Sequence, residues 1–445
     1  MSSGDRRYWV PAFAGTTGGL RPATVISTLG QPPIVIPAKA GTHPCATQAI
    51  GSVRSRGLRA LLRVSLALVF TSSVAIAKPY IPTDDTVVLE RLPERTEPSL
   101  RELKRMRATL AVNPRDLDAA TAVAQRAIEA SRANGDPRFL GQAQAALAPW
   151  WNSKDPPPRA LLLRATIRQS QHDFDGALAD LDRLIASDPR AAQARLVRAT
   201  VRTVVGRYAE AQSDCRALAP LAPPLIVAGC LAGPTSLSGD AAAAYDVLTS
   251  ALARPGGDAG AVEWALTLAG EIAARSGRAA DAERHFRQAL LLDPRDAYLR
   301  AAYADFLLDA GRARDALRVT GDDLRNDTLL LRAVLAERLL DDHRAAYSAH
   351  RAEMEARFDA ARLRGDSLHR REEARFRLWV DGDNRGALAL ARDNWKVQRE
   401  PADLRILVDA ARAANDAEAM HIATEWMAQT RMQDVALVTA MGAPR

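Results

Sequence analysis

Little in this sequence favours a β-strand. Alternating Val/Ile/Thr stretches are almost absent after residue 78, and aromatic residues make up only 5% of the chain. Lysine is nearly missing: beyond residue 78 only Lys104, Lys154 and Lys396 follow. No glycine-rich phosphate loop, nucleophile elbow or run of metal ligands appears either. The shortage of strand signals leaves an all-α fold. The shortage of chemical motifs leaves no assignable catalytic group, cofactor or metal, so the chain is not read as an enzyme and no small-molecule substrate is expected.

Alanine, leucine and arginine dominate, in runs such as Ala241–Ala253. These suit helices, because alanine loses no side-chain entropy there and lets neighbouring helices approach closely. The chain is basic, with 60 Lys and Arg against 53 Asp and Glu. Eight of the basic residues but only one acid, Asp5, fall in residues 1–77, which leaves 52 of each sign beyond them. A non-specific nucleic-acid binder needs a basic footprint, and the body supplies none in bulk. Nucleic acid is therefore not an expected partner.

The first 98 residues divide in three. Arg54 to Arg63 supplies four arginines, followed by an apolar run ending in Ala75-Ile76-Ala77. That order reads as a signal peptide over 53–77 with cleavage between Ala77 and Lys78. The alternative is an uncleaved anchor, which the short apolar run disfavours. Residues 1–52 are rich in Gly, Pro and Thr and lack a helical period. Two pieces of them, Tyr8–Thr17 and Val35–Pro44, resemble translated copies of dispersed intergenic repeats of proteobacterial genomes. With no methionine between Met1 and Met106, the expectation is a disordered or mis-assigned extension over 1–52. Residues 78–98 read as a linker.

From Ser99 onward the leading signal is self-similarity at a fixed period. Ala165 and Ala199, Ala177 and Ala211, Gly270 and Ala304, Gly277 and Gly311, and Ala282 and Ala316 are each 34 apart. The clearest unit is Glu263–Asp296. Gly270 stands on its first helix and Gly277 at the turn. Ala282, Phe286 and Ala289 stripe the second helix, and Pro294 stops it. Two antiparallel helices that cross closely need small residues at the contact and larger apolar ones beside it.

This constellation resembles the tetratricopeptide repeat (TPR), with small residues at its eighth and twentieth positions, an aromatic at the twenty-fourth and proline at the thirty-second. The expectation is an exported TPR-type α-α superhelical solenoid of about eight helical pairs over 99–435, with a tail at 436–445. In one unit Cys215 stands where the aromatic is due. The resemblance further implies a concave groove lined by first helices, and mapping its positions gives Arg159, Thr166, Gln169, Gln193, Thr200, Thr203, Trp264, Thr267, Glu271, Tyr298 and Asp305. The lysine/asparagine set with which relatives clamp a C-terminal carboxylate is missing.

Other signals are weaker. Cys215 and Cys230 are placed either to form a disulfide in an oxidising compartment or to fill helix contacts as two small thiols. The histidines are scattered and read as surface or interhelix residues. Trp379, Trp395 and Trp426 cluster near the C-terminus, as core or as anchors for a partner. A repeat array is expected to lack a buried pocket with perturbed titratable groups. Together these features point to a periplasmic scaffold that holds another protein in its groove and assists assembly of an envelope complex. A membrane-tethered structural subunit, at the inner membrane, is the alternative if the signal segment is retained.

Overall fold

The computed structural model describes residues 98–442 apart from 323 and 366–368. The extension (1–52), the signal segment (53–77), the Ala77–Lys78 cut and the linker as far as residue 97 lie outside the described residues. Within them every regular element is helical. A lone α1 (Pro98–Val112) leads into the pair α2 (Leu117–Asn134) and α3 (Arg138–Ala146), followed by the single turn α4 (Ala148–Trp151). Regular pairs then follow: α5 (Pro158–Ser170) with α6 (Phe174–Ser187), α7 (Ala192–Val204) with α8 (Tyr208–Ala217), and α9 (Pro224–Ser236) with α10 (Ala241–Leu252). Next come α11 (Ala259–Arg275) with α12 (Ala279–Leu292), α13 (Ala297–Asp309) with α14 (Ala313–Thr320), and α15 (Asp327–Glu337) with the long α16 (Arg344–Leu363). The last are α17 (Arg370–Phe376) with α18 (Asn384–Val397), α19 (Pro401–Ala414) with α20 (Ala417–Thr430), and a final α21 (Val435–Ala440). A π-helical turn at Arg377–Asp381 extends α17.

The helices pack in chain order, partner with partner and first helix against the next first helix. The 34-residue register explains why. At the crossings Ala165, Ala177, Ala211, Ala282, Ala304 and Ala316 are buried without exposed surface. A methyl group added at Gly270 would lie 2.8 Å from the Phe286 ring, so the eighth position must be small for the twenty-fourth to be aromatic. Starts are fixed by side-chain caps: Asp173, Asp258, Asp296, Asp383 and Asp416 each accept a backbone N–H of the first turn.

A buried ion clamp follows the same register. Arg164 and Arg168 of α5 converge on Asp180 of α6, at 2.6 and 2.9 Å. Thirty-four residues later Arg198 and Arg202 converge on Asp214, at 2.5 and 2.7 Å. Cys215 and Cys230 form a disulfide joining α8 to α9, with Cα atoms 5.5 Å apart. One boundary needs correction. Residues 436–440 of the segment read as a tail are helical: Asp434 caps α21, and Leu437 is buried.

Candidate functional site

The first helices stack side by side, which directs their inner faces to one space. The last pairs then close that space against the turns of earlier pairs. Arg399, between α18 and α19, donates its backbone N–H to the Val204 carbonyl at 2.7 Å. The Tyr208 hydroxyl donates to the Arg399 carbonyl at 3.5 Å. The Trp426 ring lies directly on Gly206, where any Cβ would overlap it. The Arg399 guanidinium covers Trp426 and Trp395, at 4.9 and 5.8 Å from the ring centroids. Arg431 packs on Gly239, and Val435 lies 3.4 Å from where a Cβ of Gly277 would stand. Asn326, at the start of α15, packs against Gly135. Trp395 and Trp426 therefore anchor the chain on itself.

Between these elements lies a partly open cavity of about 1390 Å³. This corrects the reading that the array lacks a buried pocket. A flat or open stack would have none, but these closing contacts bring α17, α19 and α21 round to face α5, α11 and α13. The concave groove becomes a deep, partly covered cavity.

Eight arginines and eight carboxylates line the cavity together with an apolar share that includes Phe306, Trp379 and Ile406. The charged groups form a network. Asp305 receives two arginines, Arg332 at 2.7 Å and Arg375 at 2.6 Å. Burial opposes ionisation of Asp305, yet the two guanidinium groups hold its carboxyl well below the usual carboxylate range. Arg371 reaches Glu372, Glu400 and Asp403, at 3.3, 2.9 and 3.3 Å. Burial likewise opposes ionisation of Glu372, but Arg371, Arg332 and Arg375 bring it down to about 2. Glu400 goes the other way: burial outweighs Arg371, Asp403 adds its like charge, and the carboxyl is pushed up to about 7. Near the cavity, burial and the neighbouring Asp296 raise Glu263 to about 8.

The sequence-mapped groove residues separate into three groups. Gln169, Glu271, Tyr298 and Asp305 line the cavity. The Tyr298 hydroxyl donates to Glu271 at 2.5 Å. Thr166, Thr200, Thr203 and Thr267 are buried between helices. The first three donate to the carbonyl four residues back, and Thr267 donates to Glu263. Trp264 packs its ring over Gly229 in the core. Arg159 pairs with Asp118 at the surface, and Gln193 is half-buried and does not line the cavity. Mapping missed the larger share of the site, the charged residues of α17 and α19 with the capping acids Glu400 and Asp434. The segment Arg370–Phe376, with five charges in seven residues, carried the available signal: a helix so charged yet buried at Glu372, Glu373 and Arg375 has to be paired inside the protein.

The fold and its interior define a TPR-like helical repeat array. No protein-family model matches the chain, and no curated protein sequence matches it. Among solved structures it is similar to PilW, described as a widely conserved type IV pilus biogenesis factor. That match has 20% identity, 45% of this chain and 94% of that one covered, and a TM-score of 0.37. It is similar to human IFIT1 in a dimer with PPP-AAAA, with 12% identity, 78% and 90% covered, and a TM-score of 0.41. A third is the Cut9–Hcn1 hetero-tetramer of the APC/C, with 12% identity, 77% and 86% covered, and a TM-score of 0.35. At these values nothing about activity or partner follows from the likeness. No group of three or more His, Cys, Asp or Glu side chains among the described residues is arranged to hold a metal ion, and no described helix is long and apolar enough to cross a membrane.

Proposed function

We propose that this protein is a binding scaffold that holds a segment of another protein inside the closed repeat array. The observation that carries this reading is the cavity. Its volume of about 1390 Å³ exceeds the roughly 300–1,000 Å³ typical of small-molecule sites. Its walls combine apolar side chains with fixed charges, a mixture that buries a peptide's side chains and satisfies its polar groups. Many of the charged side chains are paired, as Asp305 is with Arg332 and Arg375, and such pairing holds groups in place for binding. With the signal motif at 53–77, the proposed setting is the periplasm and the proposed role is assembly of an envelope complex.

Capture from native envelope extract tests this with a blocked variant as the control. Ala302 lines the cavity, and Ala302→Trp is designed to fill part of it. The wild-type chain is expected to retain a specific protein that Ala302→Trp loses. Equal retention by both would place binding outside the cavity. Cell fractionation tests the location: release by osmotic shock supports a periplasmic adaptor, and retention in washed membranes refutes it.

A further inference from the structure

On one wall of the cavity the carboxylates outnumber the arginines that pair with them. This wall, built by α11, α13, α19 and the start of α21, carries Glu271, Asp309, Glu400, Asp409 and Asp434. Arg405 holds two of them, Asp409 at 2.7 Å and Asp309 at 3.5 Å. Arg371 holds Glu400 but divides its charge with Glu372 and Asp403. Glu271 is held by the Tyr298 hydroxyl, and Asp434 by the backbone N–H groups of Ala436 and Leu437. Three further arginines act on this wall through space but have their hydrogen bonds elsewhere: Arg275 donates to Ser236 Oγ at 3.0 Å, Arg412 to the Ala440 carbonyl, and Arg375 to Asp305 at 2.6 Å. All five carboxyls are raised from their ordinary value, with burial the largest cause in each.

A second observation stands apart from the acids. Gln398 lines the same cavity and is 2% exposed. Its amide nitrogen donates to Asn394 Oδ1 and Asp403 Oδ1, both at 3.2 Å, so its Oε1 is left as an acceptor, and that atom is buried without a hydrogen-bond partner. A buried acceptor and several under-paired carboxyls are all stabilised by one kind of group, a cation that carries N–H donors.

Resting on the proposed peptide-holding role, we infer that this wall receives a lysine or arginine side chain of the bound segment. The cavity is too large for a lone amine to fill, and Ile406 and Leu437 along the wall cover the aliphatic stem of a long basic side chain.

Three fluorescein-labelled decapeptides test the inference by anisotropy on the full chain: alternating Lys/Ala, alternating Ser/Ala and alternating Glu/Ala. The Lys/Ala peptide is expected to bind about tenfold or more tighter than the others, and Glu271→Gln and Asp409→Asn are each expected to weaken it about fivefold. Both substitutions keep side-chain shape, and a circular dichroism melt of each identifies any variant that fails to fold; the other then decides. Glu418→Gln, at a glutamate with 77% side-chain exposure outside the cavity, is expected to leave binding unchanged. Equal binding of the neutral or acidic peptide overturns the cation assignment and leaves the peptide-holding cavity standing. Failure of all three peptides overturns both. Displacement by spermidine at the peptide's own affinity overturns the assignment to a side chain of a bound segment.

Discussion

Replacing Gly206 by alanine measures how tightly the array is closed. Gly206 lies in the α7–α8 turn at φ 81°, a region that costs an L-residue roughly 1–2 kcal/mol. Its added methyl would also enter the Trp426 ring from the far end of the chain. Overpacking of this kind costs about 1–3 kcal/mol, so Gly206→Ala is expected to lose about 2–5 kcal/mol in all. Gly311 supplies the internal control. It occupies the equivalent α13–α14 turn at φ 70°, and nothing lies within 4 Å of its would-be Cβ. Gly311→Ala should therefore lose only the backbone part, about 1–2 kcal/mol. In a Trp426→Ala background the clash disappears and Gly206→Ala should fall to the same value, a coupling of about 1–3 kcal/mol. Urea unfolding followed by circular dichroism, with tryptophan fluorescence reporting on Trp395 and Trp426, reads these differences as shifts in midpoint. Equal losses for Gly206→Ala and Gly311→Ala within about 0.5 kcal/mol, with no coupling to Trp426, would refute the closure.

Asp180→Ala leaves Arg164 and Arg168 facing each other in a buried site and is expected to destabilise by about 3–5 kcal/mol, measured by the same unfolding curves. Reducing the Cys215–Cys230 bridge frees a 15-residue separation and is expected to lower stability by about 3 kcal/mol, with two thiols reacting only after reductant. Stability should also fall as pH rises from about 4.5 toward 8. Over that window Glu400 and Glu263 keep their protons in the fold, at about 7 and about 8, while the unfolded chain loses them near 4.5. On the acid side Glu372, at about 2, contributes stability that is complete above its unfolded value of 4.5 and is lost as pH falls toward 2. Melting temperature against pH should peak near about pH 5, and Glu400→Gln should flatten the neutral limb.

The pairs from 158 to 320 were legible in the sequence because their determinants are local. Gly270, Ala282 and Phe286 sit on two helices joined by one turn, and their spacing alone states that the helices cross there. The ion clamp was equally open to reading, since Arg164, Arg168 and Asp180 recur as Arg198, Arg202 and Asp214 at the same period. The closure was not legible. Gly206 and Trp426 are remote in sequence, and a glycine at a turn reads the same whether or not a ring lies on it. The burial of the four groove threonines was hidden for another reason. Position within a repeat says which way a residue points, but a threonine pointing inward can bond within its own helix pair and disappear from the surface. Asp409 of α19 and the capping acids Glu400 and Asp434 were missed because these last units drift from the repeat pattern, so no mapped position fell on them.

A partner held inside the proposed array touches cavity-lining positions and not the outer surface. Site-specific photo-crosslinking tests this, with benzoylphenylalanine incorporated at position 298, which lines the cavity, or at position 291, where Leu291 is 85% exposed. After irradiation of intact cells, mass spectrometry of the crosslinked peptides should find one defined partner segment joined to position 298, with a basic residue next to the crosslink, and none joined to position 291. Partner crosslinks at position 291 with none at position 298 would contradict this placement.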